Sequence, residues 1–356
     1  MAHWIKYGLA LFFLAGGWCV QAQDHEIEST EHESFNPGTF ILEHIGDAYE
    51  WHILTVNGRH VSVPLPVILY SRQSGFRAFM SSRLHHGETW RGFRIAEEGP
   101  DKGKIVEQAA DGTFVRPALD LSVTKNVFAL LLSIVIILSV FLTVARRYRQ
   151  HPGEAPKGLQ SLIEPLILFV RDDIARPAIG HKYNRFMPFL LTIFFFILIN
   201  NLMGLIPLFP FGANVTGNIA ITMVLALLTF IITLGSSNRH YWTHIVNAPG
   251  VPWWLKIPIP LMPFIEFIGV LIKPAVLMIR LFANITAGHI VVLAFFSLIF
   301  IFGGKSISMG YGVSALSVAF TVFMSVLELL VAFIQAYVFT LLSALYFGAA
   351  CEEVHH

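Results

Sequence analysis

Hydrophobic and polar positions along this 356-residue chain fall into two regimes. From Val127 onward, long apolar runs alternate with short polar breaks. Before Val127 the runs are short and mixed. Val127–Ala145 is a clean apolar run of about 20 residues, the length needed to cross about 30 Å of hydrocarbon. It ends at Arg146-Arg147-Tyr148-Arg149, a cytoplasmic marker under the positive-inside rule. Leu159–Ile179 mixes apolar residues with Glu164, Arg171, Asp172, Asp173 and Arg176, the pattern of an amphipathic helix on a membrane surface. Phe186–Pro207 then crosses outward and Ile219–Leu234 returns. The intervening stretch 208–218 has no Lys or Arg, whereas 146–185 has eight, which sets the orientation.

Two later runs, Leu261–Phe302 and Tyr311–Phe347, are each about 40 residues long. At about 1.5 Å per residue each would be about 60 Å long, twice the hydrocarbon thickness, so each must tilt, break or fold back. Gly303-Gly304 reads as the turn between them, and the C-terminus returns to the cytoplasm. The expected fold is an all-α integral membrane protein with five or six membrane helices, two of them long, tilted and paired as a hairpin. An amphipathic surface helix and a small β-rich N-terminal extension complete it.

The extension carries its own pattern. Trp51-His52-Ile53-Leu54-Thr55-Val56 and His60-Val61-Ser62-Val63 flank Asn57-Gly58, a β-hairpin signal. Ahead of it, Lys6, the apolar stretch Tyr7–Gly17 and Val20-Gln21-Ala22 read as a signal peptide cleaved after Ala22. The expected division is therefore 1–22 signal peptide, 23–125 external (periplasmic) extension and 126–356 membrane domain. Cleavage would leave Cys351 as the only cysteine and allow no internal disulfide.

Composition sharpens this picture. Hydrophobic residues make up 55% of the chain and charged residues 13%, with a mean hydropathy of +0.64. A soluble domain carries about a quarter charged residues. The net charge of +1 conceals segregation, because 15 of the 23 acidic residues lie between Asp24 and Asp120. His44, His52, His60, His85 and His86 show no metal-ligand spacing. No metal, cofactor or nucleic-acid partner is expected. Asn214-Val215-Thr216 is a formal glycosylation triplet, but it abuts a membrane helix.

The chemistry lies in the two long runs. Placing Arg at a membrane helix centre costs about 2.5–3.5 kcal/mol on insertion scales, so ionisable residues there call for a function. Glu266, Lys273 and Arg280 are spaced by seven and form one stripe, which Asn284 extends. His289, nine positions beyond Arg280, points to the opposite face. Glu328 and Gln335 share a face of the other helix. Arginine is a permanent cation and a poor proton carrier, whereas His and Glu titrate when their surroundings shift them. A fixed cation with titratable groups facing away suits a device that separates two aqueous proton paths. The plainer alternative is an interhelical ion pair, Arg280 with Glu328; at Glu266 and Lys273 too that reading stays open.

Arg280-Leu281-Phe282-Ala283-Asn284, followed by Ala287-Gly288-His289, resembles the signature of subunit a of F-type ATP synthase. Asn200-Asn201-Leu202-Met203-Gly204-Leu205-Ile206-Pro207 is a second landmark. Glu328 and Gln335 complete the pattern, which covers roughly Val127 to the C-terminus. The resemblance implies a stator against a rotating ring of c subunits, held with the subunit b peripheral stalk and the remaining synthase subunits in a bacterial inner membrane. It implies that Arg280 faces the ring's carboxylates and prevents proton short-circuit. It also implies that Asn284, His289, Glu328 and Gln335 line aqueous half-channels or steady the arginine. Some members carry glutamate at the place of His289 and histidine at that of Glu328, so the exchanged pair here implies joint action. Such a subunit catalyses nothing alone.

Two other functions compete. A self-contained proton-coupled secondary transporter would show internal repeats, and the Arg280 motif has no counterpart in the first half. An intramembrane hydrolase using His289 and Glu328 would need a His-Glu-x-x-His pair or a serine nucleophile motif, and neither occurs. The extension departs from the family pattern and the resemblance gives it no role.

Overall fold

A computed structural model describes residues 37, 38, 41, 45–56, 59–96, 99–109, 112–206, 209–246 and 261–352. The expected signal peptide, the acidic start, His44 and the expected turn at Asn57-Gly58 lie outside the described residues. The chain divides into two compact units, one of Met1–Ala129 with Pro207–Ala213, the other of Leu130–Ile206 with Asn214–His356.

The first unit is β-rich. Strands β1 (Glu50–Val56) and β2 (Arg59–Pro64) form an antiparallel hairpin, as the sequence predicts. Strands β3 (Pro66–Ser71), β4 (Gly75–Met80) and β8 (Leu119–Asp120) form a second sheet in the order β4-β3-β8. Strands β5 (Phe93–Ile95), β6 (Ile105–Gln108) and β7 (Phe114–Val115) form a third. Alternation along β3 sends Val67 and Leu69 inward, where they meet Tyr49, Phe79, Leu84, Phe93 and Ile105. This core is larger than the sparse apolar content of 83–112 suggests, because Leu84, Phe93 and Ile105 are all fully buried. Buried Glu107 accepts hydrogen bonds from the Ser71 and Ser74 hydroxyls, so its charge is not left bare. The Tyr49 hydroxyl donates to Asp120 at 2.6 Å; burial, and then that carboxylate, push the phenol above its ordinary range.

The second unit is helical. Helix α1 (Lys125–Gln150) begins in the first unit and runs into this one. The predicted surface helix is α2 (Leu159–Phe169), a π-helical turn (Val170–Ala175) and α3 (Arg176–Ile179). Ile163, Val170, Ile174 and Ala175 are buried in the main core. Arg171 and Arg176 pair with Asp172 at 2.8 and 2.7 Å on the more exposed side. The segment is amphipathic as expected, and its apolar face packs on protein. A 3-10 turn (Gly180–Lys182), entered through Gly180 at φ 72°, leads into α4 (Tyr183–Leu205). Then follow α5 (Ile219–Ser236), α6 (Arg239–Val246), α7 (Leu261–Lys305) and α8 (Ile307–Cys351).

Five helical runs among the described residues are long and apolar enough to cross a membrane, the second being Leu159–Leu205 taken whole. Helices α7 and α8 have 45 residues each, about 67 Å at 1.5 Å per residue. Both run unbroken, which leaves tilt as the way to fit them to hydrocarbon. The turn corrects the sequence reading: Gly303 and Gly304 stay helical, and the reversal occurs at Ser306, whose side chain accepts from the Met309 amide. The glycine nearby has a different use. A Cβ on Gly310 would lie 2.9 Å from the Gly303 Cα, so these glycines let the two helices touch.

Candidate functional site

Lipid supplies no hydrophobic drive between helices, so packing must rest on small residues and polar contacts. Helix α8 meets that need with Ala332, Ala336, Thr340, Ser343 and Ala344, all fully buried. Its C-terminal carbonyls are capped from the α5–α6 link, where Asn238 donates to Ala350 O at 2.9 Å and Cys351 O at 3.2 Å. Helix α7 lies along α8 and α5.

On α7 the predicted stripe divides. Arg280 and Asn284 are exposed, whereas Glu266 and Lys273 are partly buried. Arg280 makes no ion pair with any described residue, so the Arg280–Glu328 bridge does not form. The Glu328 carboxylate instead reaches the backbone of α7: a Cβ built on Gly288 would stand 2.6 Å from its Oε1. Glu328 therefore sits against the residue preceding His289, and both side chains are partly buried. Gln335, seven residues further along α8, is 3% exposed.

Lys273 is held between two rings, with Nζ 5.5 Å from the Tyr346 centroid and 5.8 Å from that of Tyr241. Such cation–π contacts offset part of the cost of removing an ammonium from water. Beside it a cavity of about 210 Å³ is lined by His240, Tyr241, Glu266, Lys273, Ala349 and Glu352. Burial, and then the Glu266 charge, push the Tyr241 phenol up. The two tyrosines carry no signal in the sequence, because they lie far along the chain from Lys273.

A second polar cluster forms where α4 meets α8. Asn201 donates to Ala332 O at 3.3 Å and accepts from the Thr216 hydroxyl at 2.6 Å. Asn214 Oδ1 accepts from the Gly217 amide, and the Thr286 hydroxyl on α7 donates to Gly217 O at 3.5 Å. Buried Asn214 and Thr216 thus fasten a loop inside the bundle, which argues against sugar attachment there. Asn200 Oδ1 and Asn214 Nδ2 are buried without a hydrogen-bond partner. Arg280 falls on α7 between Lys273, beside the first cluster, and Thr286, at the second.

Residues 127–348 match the ATP synthase A chain family, well over half of the chain. The chain belongs to that family. It is 44% identical to ATP synthase subunit a of Chloroherpeton thalassium over 243 residues, 67% of this chain and 69% of that one. Against the subunit a of Chlorobium phaeobacteroides strain BS1 it is 41% identical over 283 residues, 76% of this chain and 79% of the relative. With that of an Anaeromyxobacter species it shares 38% over 267 residues, 71% and 60% of the two chains. Residues 40–126 match a separate family described as a domain of unknown function, DUF8433. The chain is thus a multi-pass bacterial membrane protein and a membrane subunit of ATP synthase.

Proposed function

We propose that this subunit is the proton-conducting stator, passing protons through two aqueous half-channels to and from carboxylates on a c ring. Arg280 is the observation that carries the reading. It is a permanent cation exposed on a long apolar helix and unpaired among the described residues. A charge so placed needs an opposite charge from outside the chain, and ring carboxylates supply it. As each carboxylate passes, the guanidinium competes with its proton in a low-dielectric gap, so protons cannot slip from one channel to the other.

The clusters on either side support two access routes. The cavity beside Glu266 and Lys273 serves one. The amides of Asn200, Asn201 and Asn214, with Gln335, serve the other. Asn284 steadies the arginine from the next turn of α7, and His289 with Glu328 relays protons. We further propose that the subunit b stalk holds this stator in the inner membrane. In this reading residues 1–22 are a cleaved signal peptide, 23–125 an extension in the periplasm and 126–356 the membrane domain, with a cytoplasmic C-terminus.

The test is ATP synthesis driven by an imposed proton gradient in vesicles holding the assembled complex. Arg280→Ala should abolish it while assembly persists. Arg280→Lys should fail or nearly so, since ammonium lacks the planar fork and hydrates more strongly. Wild-type rates in either assembled variant would overturn the proposal.

A further inference from the structure

The β4-β3-β8 sheet has two apolar faces, and the first unit's core uses only one. Directly opposed residues of an antiparallel pair project to the same side. The register pairs Tyr70 with Phe76, Ile68 with Ala78 and Pro66 with Met80, and it sets Leu119 beside Tyr70. Leu121 continues that line, its amide bonded to Ile68 O at 2.9 Å. All eight residues are uncharged, and they leave Tyr70 48%, Phe76 65%, Leu119 55% and Leu121 63% exposed. The charged residues of these strands go elsewhere: Arg77 and Asp120 both pair with Leu69, on the core side.

We propose that this face beds into the outer headgroup layer of the lipid bilayer, next to the point where α1 enters it. Connectivity carries the argument. Beyond β8 the strand continues, with the Val123 amide on Pro66 O at 2.9 Å, and α1 begins two residues later. Four residues from Leu121 to Lys125 span at most about 14 Å. The first turn of α1 is fastened to the same unit, through Lys125 N to Ala48 O at 2.9 Å and Asn126 N to Asp47 Oδ1 at 3.0 Å. Trp51 packs edge-on against Phe128 at 5.8 Å. The sheet is therefore held to the start of a membrane helix rather than hung on a linker. Val127, in the first turn of α1, is an exposed apolar residue of the same unit.

The chemistry of the face favours lipid over a protein partner. A protein interface makes about one hydrogen bond per 100–200 Å². This face offers one side-chain hydrogen-bonding group, the Tyr70 hydroxyl. Tyrosine is also enriched at membrane–water interfaces, where its ring enters the apolar layer and its hydroxyl stays wet. The inference depends on α1 crossing the bilayer and not on the proton path.

The test uses the full chain in phosphatidylcholine–phosphatidylglycerol vesicles, alone and in the assembled complex. Cys19→Ser and Cys351→Ser remove the native thiols. Phe76→Cys, Leu121→Cys or, on the exposed β3–β4 turn, Gln73→Cys then carries an environment-sensitive fluorophore. Nitroxide-bearing lipids should quench the Phe76 and Leu121 probes several-fold more than the Gln73 probe, in chain and complex alike. Arg280→Ala should leave that ratio unchanged, which separates this proposal from the stator reading. Equal quenching at all three positions would overturn it. So would lipid contact in the isolated chain that disappears in the complex, since a neighbouring protein would then cover the face.

Discussion

At the scale of single residues, the informative contact is Glu328 against Gly288. A Cβ there would displace the carboxylate, the mobile end of its side chain, so alanine should move Glu328 more than it destabilises the helix pair. Gly288→Ala should therefore slow proton-driven synthesis in an assembled complex by shifting Glu328 relative to His289. A wild-type rate would show that the carboxylate's position is not critical. The pair itself is testable by exchange. His289→Glu and Glu328→His should each slow synthesis, and the double variant should recover part of the loss. The coupling expected of residues acting together is on the order of 0.5–3 kcal/mol. Strictly additive losses, with all four complexes equally assembled, would mean the two act separately.

At the scale of elements, close approach decides stability. A Cβ on Gly348 of α8 would collide with the Ala178 carbonyl oxygen of α3, a backbone atom that cannot swing aside. Gly348→Ala should cost about 1–3 kcal/mol, the usual range for overpacking. Gly269 on α7 meets nothing within 4 Å. Ala there should be neutral or stabilising by up to about 1 kcal/mol through helix propensity alone. Thermal unfolding of the purified chain in detergent compares the two variants. Equal melting temperatures would mean that α3 and α8 separate at no cost.

At the scale of the whole molecule, the proposed orientation follows from charge. In that proposal the basic last turns of α1, Arg146 to Arg149, face the cytoplasm and the extension lies outside. A single cysteine at Gln73, in the background without Cys19 and Cys351, should react with an impermeant maleimide in cells whose outer membrane alone is permeabilised. Labelling that requires lysis of the inner membrane would reverse the topology. The polar clusters also belong to this scale, since each draws on helices from distant parts of the chain. Lys273 meets Tyr241 and Tyr346, and Asn201 meets Thr216 and the Ala332 carbonyl.

Sequence alone determined the membrane helices, because unbroken apolar length is a local property that hydrocarbon thickness converts directly into a span. It also determined the β1–β2 hairpin, from two β-prone runs either side of a turn dipeptide. Gly303-Gly304 misled because glycine serves turns and close helix approach alike, and only the facing Gly310 tells them apart. For Arg280 the sequence left an ion pair with Glu328 open; that was settled by where α8 lies against α7. The Glu328 contact at Gly288, the tyrosine cage around Lys273 and the loop held by Thr216 were likewise decided by tertiary structure. Each joins residues far apart in the chain, and helical period fixes the face a side chain occupies but not the neighbour it meets.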